Sequence, residues 1–440
     1  MPLYRSPLHS LLGYLIGCFV LFPSSIISTL VFINPRHFGL RSAVLVFGIS
    51  QVLQFQMNMH MINENNVING IVAQFLWVYV MRSFDLLLFR QAYFPPEGLV
   101  AIPSALGEED AVGQGEGKAK QTFRASTVSR FRQSFYLFFT LRDVGTPYAV
   151  KNIPSFSTSN PTWIPSRAAF LRRHIIIAVI GYLVADLPSI MPPIDRQLAA
   201  QMNLPVFSRL FHISLEEAIT RFTLTALSWI FGMATLSYFH SSLAILFVGF
   251  RLSEPRFWPP QVGSLKDSHS LRGWWGWVTV FYISTRLLYL NANENWGRKT
   301  WHQTLRRQVE TSAEFLSVYI LCLRNGTLVS RYGKLMLAFA FSGLLHHFAS
   351  GLAPWRESRA MSYFLLQGLG IMAEDGVQEV YRRCGGKPRW WSTTIGYIWM
   401  AAFQACTTSR WIVQNSELTR PGVDNLVPFS VLKSLGLGQL

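Results

Sequence analysis

The sequence predicts an all-α fold, a polytopic transmembrane helical bundle of about seven to nine spans. Three observations predict it. Half of the 440 residues are hydrophobic and only 14% are charged, whereas a soluble domain carries about 25% charged residues. The mean hydropathy is positive, at +0.25. Long apolar stretches recur at lengths suited to a hydrocarbon core of about 30 Å, which about 20 helical residues cross. The sequence has neither the strand alternation of a membrane barrel nor internal repeats. Disordered, collagen-like and conventional cytosolic classes are thereby excluded.

Taken in order, residues 11–33 carry no charge. They are too long for a signal-peptide core and lack a small-x-small cleavage site, so they read as a retained anchor. Residues 43–55 and 68–89 follow, the second interrupted by Arg82 and Asp85. Hydrophobicity then lapses from Arg90 to about Arg173. Within the lapse, residues 96–129 centre on GEEDAVGQGEGKAK and read as a flexible surface loop. The following FRQSFYLFFTLRDVGTPYAVKNIPSF mixes aromatic, basic and turn residues, as an interfacial or re-entrant segment does. Spans resume at 174–191 and 224–250, then at 313–323, 334–352, 363–373 and 392–413. Residues 1–440 read as a single integral membrane domain.

Lys and Arg number 39 against 23 Asp and Glu, a net charge of +16. The basic loops after Arg90 and Arg251 are separated by two spans, so both can face the cytoplasm. No basic run is interleaved with aromatic residues in a polar segment, so nucleic acid is not an expected partner. Cys18, Cys322, Cys384 and Cys406 are scattered without CxxC or Cys/His spacing. Neither a metal site nor a disulfide framework is expected, and the four read as packing residues.

The sharpest intramembrane feature is Ser342-Gly343-Leu344-Leu345-His346-His347-Phe348. Ser342, His346 and Ser350 fall at i, i+4 and i+8, giving one polar helix face, and Gly343 leaves room for a neighbouring helix. A polar group at that depth needs a cavity or a partner. His346 is then either a general base or a core histidine bonded across helices, and spacing leaves both open. The Asp of the HHxxxD pattern of soluble acyltransferases is missing, since Phe348-Ala349-Ser350-Gly351 follows.

The second feature is Trp296-Gly297-Arg298-Lys299-Thr300-Trp301-His302-Gln303-Thr304-Leu305-Arg306-Arg307. Trp301 and Leu305 share one helical face, His302 and Arg306 another. The composition suits an interfacial anchor, or a mouth where Arg298, Lys299, Arg306 and Arg307 attract a phosphate-bearing donor. Asn325-Gly326-Thr327 fits the N-x-T glycosylation pattern, on a connection between two spans.

Trp-Gly followed by Trp-His-Gln and, further on, Ser-Gly-x-x-His within a span resembles the wax synthase branch of the membrane-bound O-acyltransferases. Arg142-Asp143-Val144-Gly145-Thr146-Pro147-Tyr148-Ala149-Val150-Lys151-Asn152-Ile153-Pro154 resembles a stretch of its fungal members, as does Trp258-Pro259-Pro260-Gln261-Val262-Gly263-Ser264-Leu265 with Ser270-Leu271-Arg272. The likeness covers roughly residues 135–415. It implies that His346 is the catalytic histidine. It aligns Trp301, His302 and Gln303 with a motif where plant wax synthases and sterol or diacylglycerol acyltransferases carry Trp-Asn. Those three residues and Ser342 become candidate substrate-binding or oxyanion groups.

The implied reaction moves an acyl group from acyl-CoA, acetyl-CoA foremost, to the hydroxyl of a lipophilic alcohol. Acyl-CoA is a co-substrate, and neither a bound cofactor nor a metal is implied. The acceptor is a terpenoid or meroterpenoid intermediate of secondary metabolism; the alternative is long-chain wax or sterol ester synthesis. Partners are the bilayer, the alcohol and acyl-CoA, and the implied residence is the endoplasmic reticulum. A membrane terpene cyclase or a transporter would be a different class. Both want intramembrane carboxylates, and Asp85, Asp186, Asp375 and the Glu374-Asp375 pair are the few near spans.

One departure stands out. Trp275-Gly276 and Trp296-Gly297 lie 21 residues apart, and removing residues 276–296 would join SLRGWW to GRKTWHQ and come close to the family pattern. The stretch reads as a retained intron or a lineage-specific insertion beside the site. A transcript containing all 21 codons would exclude the intron.

Overall fold

The computed structural model describes residues 7–61, 63–96, 126–144, 155–157, 162–192, 194–204, 212–260, 270–276, 303–350, 358–386, 390–417 and 425–437, with 149, 160 and 209. Most of the low-complexity loop and of the 276–296 stretch lie outside them, as do residues 298–302.

All regular structure among the described residues is helical. Helices α1 (Pro7–Ile16) and α2 (Phe22–Phe32) are joined through a five-residue π turn, Gly17–Leu21. Next come α3 (Phe38–Asn58), α4 (Asn66–Phe84), α5 (Thr127–Phe139), α6 (Arg167–Asp186), α7 (Arg196–Asn203) and the 35-residue α8 (Leu215–Gly249). The C-terminal half holds α9 (Leu271–Gly276), α10 (Gln303–Phe315), α11 (Leu328–Phe348), α12 (Ala360–Arg383), α13 (Trp390–Glu417) and the short α14 (Val431–Ser434). Side-chain caps start many of them. Asn65, Ser126, Ser166, Asp195, Ser214 and Thr327 each accept from a backbone N–H in the first turn that follows.

Six helical segments among the described residues are long and apolar enough to cross a membrane: Leu12–Phe32, Phe38–Met61, Asn66–Phe89, Arg167–Ser189, Leu215–Gly249 and Leu328–Phe348. Helices α12 and α13, with 24 and 28 residues, reach about 36 and 42 Å at 1.5 Å per residue and are also long enough. The surface agrees with a lipid surround. Ile175, Ile176, Val179, Ile180 and Leu183 of α6 are all exposed, an apolar face whose water-free partner is hydrocarbon.

The expected span at 313–323 is not a separate crossing. It is the end of α10 and a π turn, Leu316–Ile320. Val309 and Ala313 of α10 are buried against Val78, Ala338 and Leu345 of α4 and α11. The aromatic-basic segment expected at an interface forms α5 and docks on α2. Arg130 reaches the Val31 and Phe94 carbonyls, the second at 2.6 Å.

Two apolar cores organise the bundle. The first gathers α1 to α5 around Phe22, Ile26, Leu30, Phe55, Leu86 and Phe138. The second surrounds Trp275 of α9 with Leu335, Phe339, Phe364, Ile371 and Phe403 from α11, α12 and α13. A buried charge cluster sits beside the first core. Arg82 and Arg90 both pair with Asp85 and Asp143, and Arg82 also donates to the Leu137 carbonyl at 2.7 Å. Mutual pairing and carbonyl acceptors are what make such charges tolerable away from water.

Candidate active site

Helix α11 carries His346 within its last turn. The approach of α12 at this level depends on Gly343: a Cβ there would lie 3.0 Å from Met361 Cα and 3.4 Å from Phe364 Cβ. With hydrogen in its place, α12 closes in and lays Phe364 on the imidazole, ring centroids 4.5 Å apart. Helix α13 adds Trp411, edge-on to the same imidazole at 5.6 Å and 74°. His346 is only half-buried and its Nδ1 lies 2.8 Å from the Ser342 carbonyl oxygen. A carbonyl oxygen can only accept, so Nδ1 is the donor. The neutral ring then carries its lone pair at Nε2, the atom a general base uses.

The aromatic walls are themselves held. Tyr363 stacks on Trp411 at 4.9 Å and 18°, and its hydroxyl donates to Gln404 Oε1 at 3.2 Å. Gln404 donates to Gln367 at 3.1 Å, Gln367 to Thr407 at 3.0 Å, and the Trp275 indole to Gln367 at 2.8 Å. This chain of satisfied amides and hydroxyls pins α9, α12 and α13 in one register. On the opposite flank, Trp77 stacks on Phe348 at 4.2 Å and donates to Gln56 at 2.7 Å, while Gln56 donates to the Phe348 carbonyl at 3.3 Å. The end of α11 is thus tied to α3 and α4. His347 points elsewhere, with its Nδ1 3.1 Å from Ser358 Oγ.

Of the second motif, Arg298, Lys299, Trp301 and His302 lie outside the described residues, as do the side chains of Gln303 and Arg306. The backbone of Gln303 opens α10, which runs antiparallel to α11 and is registered by Lys334 Nζ on Glu314 Oε1 at 2.8 Å. From that pair to Gln303 is about 16 Å along α10, and to His346 about 18 Å along α11 at 1.5 Å per residue. The start of α10 and His346 therefore lie at nearly one level.

Arg307 does not stand clear as a phosphate attractor. Its Nε is 3.4 Å from Asp143 Oδ2, at the edge of the buried charge cluster. The neighbouring Arg142 turns the other way and donates to the carbonyls of Pro259 and Pro260 at 2.6 and 3.0 Å. The two upstream segments singled out in the sequence are therefore joined through one guanidinium, which burial pulls down to about 10 and leaves cationic at neutral pH. Ser342 is buried and meets His346 through its backbone oxygen. Asn325 sits in an exposed turn, with Oδ1 accepting from Lys334 at 2.9 Å.

Glu374 and Asp375 are engaged structurally. Glu374 accepts from the Leu271 N–H at 2.8 Å. Asp375 pairs with Arg272 and Arg331, and accepts from the Tyr332 hydroxyl at 3.0 Å. Neither is poised to protonate an alkene. Among the described residues no group of three His, Cys, Asp or Glu side chains could hold a metal ion. Phe364 and Trp411 escaped sequence reasoning because each meets His346 only through helix packing, with no spacing to mark it, and Tyr363 because it stands behind them, against both rings.

The model of the membrane bound O-acyl transferase family matches residues 289–366, which include both Gln303 and His346. Acetyltransferase ataH of Aspergillus terreus is 32% identical over 288 residues, covering 63% of this chain and 86% of that protein. The chain belongs to the membrane bound O-acyl transferase family. It is an integral membrane enzyme that moves acyl groups to oxygen on lipophilic acceptors. Acetyltransferase aurG of Calcarisporium arbuscula is 29% identical over 340 residues, 75% of this chain and 74% of that protein. Acetyltransferase TRI7 of Fusarium sporotrichioides is 25% identical over 322 residues, 68% and 67% respectively. No solved structure matches this O-acyltransferase.

Proposed function

We propose that this O-acyltransferase carries an acetyl group from acetyl-CoA to the hydroxyl of a terpenoid or meroterpenoid alcohol, with His346 as general base. One observation carries the proposal: the Ser342 carbonyl claims Nδ1–H of His346, so the lone pair lies on Nε2. The acceptor hydroxyl gives its proton to Nε2 as its oxygen attacks the thioester carbonyl. The C–S bond then breaks, the coenzyme A thiolate leaves, and His346 hands it that proton to give the thiol. Thiols have pKa near 8.5, so the leaving group needs no strong acid, and no covalent enzyme intermediate is required.

The acetyl donor is supported by relatives named as acetyltransferases across 24–32% identity. The aromatic box of Phe364 and Trp411 suits an apolar acceptor. Coenzyme A is polyanionic and enters from water, whereas the alcohol partitions into lipid; holding the two together supplies much of the rate. We assign the chain as one functional domain resident in the endoplasmic reticulum. In that assignment Arg298, Lys299 and Arg306 attract the phosphates of the donor, and Trp301, His302 and Gln303 serve as substrate-binding or oxyanion groups.

The test is acyl transfer in microsomes from a heterologous host. Radiolabelled acetyl-CoA and palmitoyl-CoA are offered with sterol, terpenoid and fatty alcohols, and His346→Ala membranes give the background. Labelled terpenoid acetate is expected. Preference for palmitoyl-CoA would move the assignment to wax or sterol ester synthesis, and no ester from any CoA donor would overturn it.

A further inference from the structure

We propose that the Trp411 indole N–H holds the acyl carbonyl oxygen during transfer and donates to the oxyanion that develops there. The proposal rests on His346 as general base. Three observations lead to it. Trp411 meets the His346 ring edge-on at 5.6 Å, so a reacting group within reach of Nε2 is also beside the indole. Its Nε1 is buried and has no hydrogen-bond partner among the described residues. Three other indoles have an acceptor: Trp77 donates to Gln56 at 2.7 Å, Trp275 to Gln367 at 2.8 Å and Trp258 to Ser253 at 3.1 Å. A buried N–H without an acceptor is costly, and it is retained here next to the residue that does the chemistry.

The ring is also held rigid, as a preorganised donor must be. Tyr363 lies parallel to it at 4.9 Å and Phe364 edge-on at 5.9 Å. Tyr363 is in turn fixed by Gln404 and Thr408. When the alcohol oxygen attacks, a C–O bond forms and the carbonyl π pair moves onto oxygen, where the indole N–H donates to it. The hydroxyl proton passes to His346 Nε2. Collapse re-forms C=O, breaks C–S and releases coenzyme A thiol with that proton. An N–H aimed at the carbonyl oxygen gains strength as charge builds, so its contribution falls on kcat and not on donor binding.

The test replaces Trp411 by 3-benzothienylalanine, which exchanges the N–H for sulfur and keeps the fused ring, with Trp411→Phe as a second variant. Full-length enzyme in membranes is assayed with acetyl-CoA and a terpenoid alcohol at matched abundance and thermal midpoint. Expected is a fall in kcat of about 10²- to 10³-fold, with KM for acetyl-CoA within about threefold of wild type. A benzothienylalanine enzyme with kcat within about threefold of wild type, or a loss confined to KM, overturns the proposal. His346→Ala is run alongside. If that variant keeps wild-type kcat, the general-base reading fails and the Trp411 proposal with it. If only the Trp411 variants keep theirs, the base reading stands alone.

Discussion

At the scale of single residues, His346 is defined by the contact at Nδ1, since a carbonyl acceptor leaves Nε2 as the basic nitrogen. That carbonyl belongs to the main chain of Ser342, so any residue that keeps the helix supplies it. Ser342→Ala is accordingly expected to keep kcat within about threefold of wild type. A loss of two orders of magnitude would instead give the Ser342 hydroxyl a part in the transition state. His346 was legible in the sequence because an ionisable residue inside an apolar stretch is unusual. The walls around it were not. Phe364 and Trp411 are ordinary aromatic residues in apolar helices, and only the packing of α12 and α13 on α11 brings them to the imidazole. The basic run reads as a phosphate mouth, but for Arg307 the buried carboxylate of Asp143 competes.

At the scale of helices, close approach and charge pairing set the arrangement. Gly343→Ala would press a methyl against the Met361 backbone at 3.0 Å. It is expected to cost about 1–3 kcal/mol, read as a lower thermal midpoint in detergent, and to lower activity as Phe364 shifts. Gly376→Ala is the contrast: a Cβ there meets nothing within 4 Å, and the change is expected to be neutral or to stabilise by about 0.5–1 kcal/mol. Equal effects at both positions would contradict packing as the cause. Asp143→Asn removes a carboxylate shared by Arg82 and Arg90 in a buried cluster, and a loss of about 3–5 kcal/mol is expected. Chemical denaturation of purified enzyme measures it, and a loss under about 1 kcal/mol would place the cluster in water. Internal pairing also explains where the sequence misjudged helix ends. The span expected from residue 224 begins at Leu215, because Glu217 pairs with Arg221, which donates to Ser409 and the Met202 carbonyl. The helix expected to start at residue 43 begins at Phe38, with Arg41 donating to the Leu87 and Ala92 carbonyls. Charges that look like boundaries in a sequence cease to be boundaries once they find partners inside the bundle.

Across the whole molecule, apolar length and charge depletion were enough to read an α-helical membrane bundle, because every backbone group in hydrocarbon must be satisfied within its own helix. The order in which helices pack was not readable, since lipid-facing and protein-facing apolar residues look alike in sequence. The bundle brings segments distant along the chain to one level: the start of α10, the end of α11 and the C-terminal part of α13. That placement suits a reaction between a lipid-dissolved alcohol and a water-borne thioester, with His346 where the two meet. The measurement that tests this most directly is kcat for acetyl transfer by wild type and His346→Ala in the same membranes, at saturating donor and acceptor and equal enzyme abundance. A fall of about 10²- to 10⁴-fold, the usual effect of losing a general base, is predicted with the thermal midpoint unchanged. A His346→Ala enzyme that turns over within about tenfold of wild type would contradict it, and the base would have to be sought elsewhere.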